Sequence, residues 1–298
     1  MKKYVIRMLI AGVIGYGARA DAVVTDYKLS TWNIQGAYSG AGSNSKWVTG
    51  IKCMFLLEGI QIVAIQEAGA RPPSAQPTAV PGTAGGVPLQ RLSGGQHSST
   101  NPQRRGVISD IEESIWRPGG ERGGQIYIYH LNNDIRVHRL NIAIASRIRA
   151  DEIIIVPPME AGANVRPTLG IRINNDYFFN LHAGAHPHNE ASQIVRFIDS
   201  FMTNDVLPQR PEASWVIMGD FNQSPDSLRA SLSSPSAGLT NHYNVVGPVM
   251  RTHESGHALD YAVFGGPHGI ARLSAAPPLS AMMTHISDHV AVRFTVHK

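Results

Sequence analysis

The sequence predicts an α/β (α+β) fold: two packed sheets with helices laid outside them. Three observations point there. Short runs rich in β-branched and aromatic residues recur along nearly the whole chain. Only a few segments repeat apolar residues at helical spacing. No internal repeat is visible, and 298 residues suffice for one large core. Many strands with few interposed helices pack sheet on sheet, and β-rich sandwiches of this length fold as one domain.

Taken in order, residues 1–20, "MKKYVIRMLIAGVIGYGARA", are expected to be a secretory signal. Lys2 and Lys3 give a basic start, Val5 to Ile14 an apolar middle interrupted by Arg7, and Ala18-Arg19-Ala20 an A-x-A-like cleavage site. Residues 21–298 then form a single domain. Strands are expected at 27–33, 62–66, 126–130, 140–146, 152–156, 169–173, 177–182, 215–218, 259–265 and 289–296. One helix is expected where Trp47, Ile51, Met54, Phe55 and Glu58 repeat after a cap at Asn44 or Ser45, and another where Ile194, Val195, Ile198, Phe201 and Met202 repeat. Residues 69–124 are rich in Pro, Gly, Ser and Thr and read as a long, partly disordered surface excursion. A short helix over 109–116, with Ser109 and Glu112 as a capping box, is expected to interrupt it.

Composition limits the function classes. The chain carries 26 Lys and Arg against 22 Asp and Glu. Lys2, Lys3, Arg7 and Arg19 account for the whole excess, so bulk charge gives no argument for a polyanionic partner. Arg far outnumbers Lys, and guanidinium forks suit bidentate phosphate contacts. The one cysteine, Cys53, excludes an internal disulfide framework and reads as a buried thiol in the first helix. No segment after the signal is apolar for long enough to span a membrane.

The informative pattern is at the strand ends. In "WVIMGDFNQSP", an apolar run ends in Asp220 and Asn222, with Gly219 as the bend; in extended chain the two share a face. Taken alone this is equally a turn. Yet Asn33 ends the first strand, Glu67 the second and His182 "YFFNLH", while Asp260 opens "LDYAV" and Asp288 and His289 open the last strand. An acid closing an apolar strand is rarely left without a partner. Oxygen ligands of this kind suit Mg²⁺, two imidazoles suit proton transfer near neutral pH, and an Arg suits charge building on phosphorus. His186 and His188 near His182 lack the Cys or downstream acid of a zinc site and read as solvent-facing; His138, His253 and His257 read as surface or loop polarity.

"TWNIQG", "IVAIQEAG", "NLHAGAH", "IMGDFN", "LDYAV" and "SDH", in that order, resemble the endonuclease/exonuclease/phosphatase superfamily typified by deoxyribonuclease I. "SNSKW", "YIYH", "RADE" and "RPTLGIRI" narrow the resemblance to the catalytic B subunits of cytolethal distending toxins, over about residues 27–296. The resemblance implies a four-layer α/β/β/α sandwich of two mixed sheets, deoxyribonuclease I-like. It implies a secreted Mg²⁺-dependent phosphodiesterase, with Mn²⁺ or Ca²⁺ in support and no organic cofactor. Such an enzyme nicks DNA inside target cells, in the nucleus, after passing through the periplasm. It also implies delivery and receptor-binding toxin subunits, without which this chain would not cross a host membrane.

By the same resemblance Glu67 is the principal metal ligand, with Asn33 and Asp288 completing the metal and phosphate environment. Asp220 and Asn222 orient or activate water and hold the phosphate. His289, paired with Asp260, acts as base or transition-state stabiliser; His182 protonates the leaving oxygen or binds phosphate. Arg139 and Arg166 fall where phosphate and further basic contacts are expected. One departure stands before "QIYIY", where deoxyribonuclease I carries a Tyr–Glu pair and this chain reads "ERGG". Glu121 is the acid at hand there, and the carboxylate partner of His182 stays open. The alternatives are a phosphoinositide phosphatase using the same residues, or a secreted binding component that has lost catalysis.

Overall fold

The computed structural model describes residues 23–36, 46–78, 86–93, 110–133, 140–159, 166–185, 190–233, 239–267, 272–278 and 287–297. The expected signal at 1–20, Asn44, Ser45, Ser109, His138, Arg139, His186 and His188 lie outside the described residues. In chain order the strands are β1 (Leu29–Asn33), β2 (Ile62–Gln66), β3 (Gln76–Pro77), β4 (Leu89–Arg91), β5 (Asp110–Trp116), β6 (Ile126–Asn132), β7 (Ile142–Ser146) and β8 (Glu152–Val156). Then come β9 (Thr168–Ile173), β10 (Asp176–His182), β11 (Ser214–Asp220), β12 (His242–Val246), β13 (Asp260–Gly266), β14 (Leu273–Ala276) and β15 (Val292–Val296). They form an eight-stranded sheet, β14-β15-β1-β2-β7-β6-β5-β3, and a seven-stranded sheet, β12-β13-β11-β10-β9-β8-β4. Both sheets are mixed: β1 runs parallel to β2 and β10 to β11, whereas β7 lies antiparallel to β2 and β13 to β11.

Side-chain alternation builds the layers. Ile62 and Ala64 of β2 face the core between the sheets, with Phe178 of β10 and Val216 and Met218 of β11. The intervening Val63 and Ile65 face outward, onto Trp47, Ile51, Met54 and Phe55. Those residues belong to a π turn, Trp47–Ile51, that runs into α1 (Lys52–Leu56). On the other sheet Tyr177, Phe179, Trp215 and Ile217 face Ile194, Val195 and Ile198 of α2 (Glu190–Phe201), with Leu228 of α3 (Pro225–Leu232). The central strands are therefore buried on both faces, which is why they read as continuous apolar runs. Three apolar interfaces make the expected α/β/β/α sandwich. Among the described residues no helix is long and apolar enough to cross a membrane.

Several expectations need correction. Residues 109–116 do not form a helix: Asp110–Trp116 is β5, paired antiparallel along its length with β6. Its glutamates fit the sheet because each finds a cation, Glu112 at Arg71 (2.7 Å) and Glu113 at Arg149 (2.8 Å). The stretch 69–124 is accordingly not all excursion; β3 and β5 extend one sheet and β4 the other. The last strand begins at Val292 rather than at 289. Gly219 does not end its strand. It lies within β11, at φ 157°, where an added Cβ would collide with the Leu181 carbonyl of β10. Cys53 is half-buried rather than enclosed.

Candidate active site

The strand register delivers the polar residues to one edge. β10 and β11 run parallel with His182 opposite Asp220, and β11 pairs with β13 so that Asp220 lies opposite Asp260. Three of the expected residues thus form one row across the second sheet. In the first sheet Asn33 pairs with Gln66, and Glu67 follows directly, at a left-handed φ of 45°. The two loops beyond β1 and β2 meet closely: the Gly36 amide donates to the Glu67 carbonyl at 2.6 Å, and a side chain at Gly36 would strike the Glu67 and Gly69 backbone.

The sheets are tied together just beneath this edge. Asn180, two residues before His182, donates its amide to the Ile65 and Ala143 carbonyls (both 2.8 Å) and accepts from Gln66 at 2.6 Å. Above that tie, Asn33 Nδ2 donates to Asp220 Oδ2 at 3.1 Å, so the two halves of the edge share a hydrogen bond. The segment carrying Asp288 and His289 is fixed to the same place. Ser287 Oγ donates to the Asn33 carbonyl (2.8 Å), the Asp288 amide to Gln35 Oε1 (3.3 Å) and the Trp32 indole to the His289 carbonyl (3.0 Å).

Within the cluster, Asp220 Oδ2 faces both imidazoles, His182 Nε2 at 3.6 Å and His289 Nε2 at 3.6 Å. These separations are too long for direct hydrogen bonds. His182 Nε2 is also 4.0 Å from Glu67 Oε1, so a single histidine nitrogen bridges the two sheets' carboxylates. His289 Nδ1 is held at 2.8 Å by Asp260 Oδ2, which leaves Nε2 facing the cluster. Asp260 is in turn anchored by its own amide, which donates with that of Leu259 to Thr252 Oγ1.

Burial and charge set the protonation states. Burial pushes the His182 pKa well below the ordinary histidine value, helped by Arg166 and His289, so its ring is neutral near pH 7. His289 goes the other way: burial opposes its charge, but the Asp260 hydrogen bond and the charges of Asp260, Asp220 and Asp288 hold its pKa up at about 9. Burial and Asp260 push Asp220 up to about 7, against the pull of His289, the Asn222 amide and Asn33. Burial lowers the Lys46 ammonium, while Asp288 and Glu67 act to raise it.

The structure brings together Asn33, Glu67, His182, Asp220, Asp260, Asp288 and His289. Asn222 is close but differently placed. It lies beyond β11 at φ 47°, so it does not share an extended face with Asp220. Its backbone amide caps Asp220 Oδ1 at 2.9 Å, and its side chain donates to the Ala183 carbonyl at 2.8 Å. Arg166 donates to that same carbonyl at 3.0 Å. Glu121 does not serve His182: it is exposed, in the turn before β6, and β6 begins at the end of the sheet opposite Glu67.

Two residues at this edge carry no signal in the sequence. His253, expected as loop polarity, forms an isolated bridge with His289; its ring meets the His289 ring edge-on at 4.4 Å, and its Nε2 is 3.5 Å from Asp288 Oδ2. Its partners are more than thirty residues away, and no local pattern announces them. Lys46 lies inside "SNSKW", a string that marks the family without marking the lysine; its Nζ donates to the Gln35 carbonyl at 3.3 Å.

A two-sheet sandwich with acids and imidazoles gathered at strand ends defines a class. The chain belongs to the endonuclease/exonuclease/phosphatase family, whose profile matches residues 30–289. Within it the similarity is to CdtB, the biologically active subunit of cytolethal distending toxin. The chain is 33% identical to the B subunit of the Escherichia coli cytolethal distending toxin over 296 residues, 98% of either chain. It is 36% identical to the Salmonella typhi homolog of that subunit over 269 residues, 88% of each. Among solved structures, a chain of the cytolethal distending toxin from Actinobacillus actinomycetemcomitans superposes with a TM-score of 0.75 at 33% identity, covering 92% of this chain and 99% of that one.

Proposed function

We propose that this chain is a secreted, Mg²⁺-dependent phosphodiesterase that nicks DNA, the catalytic subunit of a distending-toxin-like assembly. One observation carries the reading: Glu67, His182, Asp220, Asp260 and His289, from five separate segments, converge on one edge in a chain of this family. The relatives in solved structures of the whole toxin support partner subunits for this one. Secretion and action in a target nucleus rest on the signal-like first twenty residues and on the resemblance.

The donor set fits a hard divalent cation. Glu67 and Asp288 offer carboxylate oxygens, and both act on the Lys46 ammonium, so they already share a cation. Asn33 Oδ1 accepts the Gln35 amide at 3.2 Å and keeps a second lone pair for an ion. A bound Mg²⁺ would stabilise negative charge on the phosphate and departing oxygen.

The chain's own residues would do the rest. Asp220, with its pKa at about 7, takes a proton from the attacking water as the new O–P bond forms. The P–O3′ bond breaks, and the leaving oxygen takes a proton from solvent water to give 3′-hydroxyl and 5′-phosphate ends. His289, charged and oriented by Asp260, offers its Nε2–H to a phosphate oxygen; neutral His182 offers a hydrogen bond from the other side. Asn222 and Arg166 steady the Ala183 backbone beside His182.

The test is nicking of supercoiled plasmid by clean protein, with EDTA, with Mg²⁺ restored, and with Glu67→Gln. EDTA and the substitution are each expected to lower nicking about 100-fold or more. A soluble phosphoinositide runs beside the plasmid. If it is turned over faster than DNA, the phosphatase alternative replaces this reading; if neither is cleaved with Mg²⁺ present, the inactive binding component does.

A further inference from the structure

His253 has no part in the chemistry just described, yet it completes a second group of ligand atoms. One ring nitrogen each of His253 and His289 and a carboxylate oxygen of Asp288 all lie within 4.8 Å of one another. The pairwise gaps are 3.5 Å from His253 Nε2 to Asp288 Oδ2 and 3.9 Å from His289 Nε2 to Asp288 Oδ1. Two ligands on a tetrahedral zinc-class ion stand about 3.3 Å apart, given bonds of about 2.0–2.1 Å. A small closure therefore brings the three into a coordination sphere.

Each imidazole also has an outer partner on the opposite nitrogen. Asp260 holds His289 Nδ1 at 2.8 Å, the carboxylate partner that orients a metal-binding histidine with Nε2 facing the ion. His253 Nδ1 accepts the Ser255 amide at 3.0 Å and lies 2.6 Å from Ser255 Oγ, which fixes the ring with Nε2 turned to Asp288; an ion bound there displaces the Nε2 proton. The segment is fixed in place: the Glu254 amide donates to the Asp288 carbonyl (3.0 Å), and the Val290 amide to the Thr252 carbonyl (2.7 Å). Asp220, whose Oδ2 is 3.6 Å from His289 Nε2, adds negative charge alongside.

We propose that His253, His289 and Asp288 form a second, nitrogen-containing cation site selective for zinc-class ions over Mg²⁺. It shares Asp288 with the oxygen donors proposed for Mg²⁺ but takes two imidazoles in place of Glu67 and Asn33. Imidazole suits Zn²⁺ and Co²⁺, whereas Mg²⁺ prefers oxygen. Occupancy also displaces the His289 Nε2 proton that would be offered to phosphate, so Zn²⁺ would inhibit nicking. That consequence rests on the phosphodiesterase reading; the binding does not.

The experiment titrates the full chain, freed of metal, with Co²⁺ at about pH 8, where competing protons are fewer. One equivalent is expected to raise the visible absorption of a four-coordinate N/O site, and Zn²⁺ to bleach it. His253→Gln is expected to weaken binding at least about tenfold. Circular dichroism melts establish that the variant is folded. The proposal is overturned if Co²⁺ gives only a weak six-coordinate spectrum, or if folded His253→Gln keeps the signal and its affinity. Loss of plasmid nicking under every Mg²⁺ condition would defeat the function reading and leave this binding result standing.

Discussion

Two buried carboxylate clusters in this molecule are built on opposite plans. Glu113, with no exposed side-chain surface, is fully partnered. Arg149 grips it with two bonds of 2.8 Å, Thr78 Oγ1 donates at 2.7 Å, and the Tyr129 hydroxyl at 3.3 Å. Asp220 is nearly as buried, but its imidazole neighbours stop at 3.6 Å; beside it Asp260 Oδ1 and His182 Nδ1 have no hydrogen-bond partner among the described residues. A satisfied network lowers the energy of the fold, whereas polar atoms left short of partners raise it and keep valence for a substrate. The Glu113 cluster is thus satisfied within the fold, and under the proposed function the Asp220 cluster keeps hydrogen-bonding capacity for a ligand.

The sharpest break of that contrast is Asp220→Asn. Nicking is expected to fall about 1,000-fold, because no group is left to take the proton from water. Stability is expected to hold or rise, because the substitution removes a carboxylate that burial and Asp260 already disfavour. Plasmid nicking and urea unfolding of the same preparation check both. A loss of stability as large as that expected for Arg149→Met would erase the distinction.

Arg149→Met is the next largest effect and has the opposite profile. It leaves Glu113 buried without its cation and is expected to cost about 3–5 kcal/mol. Nicking per folded molecule stays unchanged. The pair is lopsided: the Arg149 side chain is 47% exposed and Glu113 is not. Glu113→Gln lets the guanidinium rehydrate and is expected to cost less, about 1–3 kcal/mol. Equal costs in urea unfolding would show that Glu113 is less enclosed than its contacts indicate.

A third effect reads the Asp260–His289 pair directly, in the metal-free protein. Asp260→Asn removes the charge that, with the hydrogen bond, holds His289 at about 9, so its NMR titration midpoint should drop by more than a unit. The stability consequence has a definite sign. A histidine whose folded pKa is raised contributes fully below its unfolded value of about 6.5, and the contribution is lost as pH rises through about 9. The wild type should therefore lose stability across that alkaline window, and Asp260→Asn should lose less. An unmoved midpoint would mean that Asp220 and Asp288, not Asp260, set the charge.

How much of this is legible in sequence follows from where the forces act. β2, β8, β10 and β11 are readable because burial on both faces makes them continuous apolar runs. The site acids are readable because Glu67 and Asp220 each close such a run and Asp260 opens one. β5 misleads because "SDIEESIW" satisfies a capping box locally, while Arg71 and Arg149, which make its glutamates welcome in a sheet, lie 41 and 36 residues away. β3, β4, β12 and β14 are edge or near-edge strands of two to five residues, defined by pairing more than by composition. His253 and Lys46 are invisible as site residues for the same reason: their significance comes from His289, Asp288 and Glu67, all distant in sequence.

Asn222 carries the smallest effect and separates two jobs held by one residue. Its backbone amide caps Asp220 whatever the side chain, and its φ of 47° suits Asn or Gly better than Ala. One amide hydrogen is used on the Ala183 carbonyl, leaving one to donate to phosphate. Asn222→Ala and Asn222→Gly should therefore lose the same nicking activity, about tenfold, while the alanine alone also loses about 1 kcal/mol to backbone strain. Parallel nicking and urea unfolding distinguish the two contributions. If glycine restores activity along with stability, the residue's role is to turn the chain after Asp220, and the turn suggested by the bare "GDFN" string is the whole of its function.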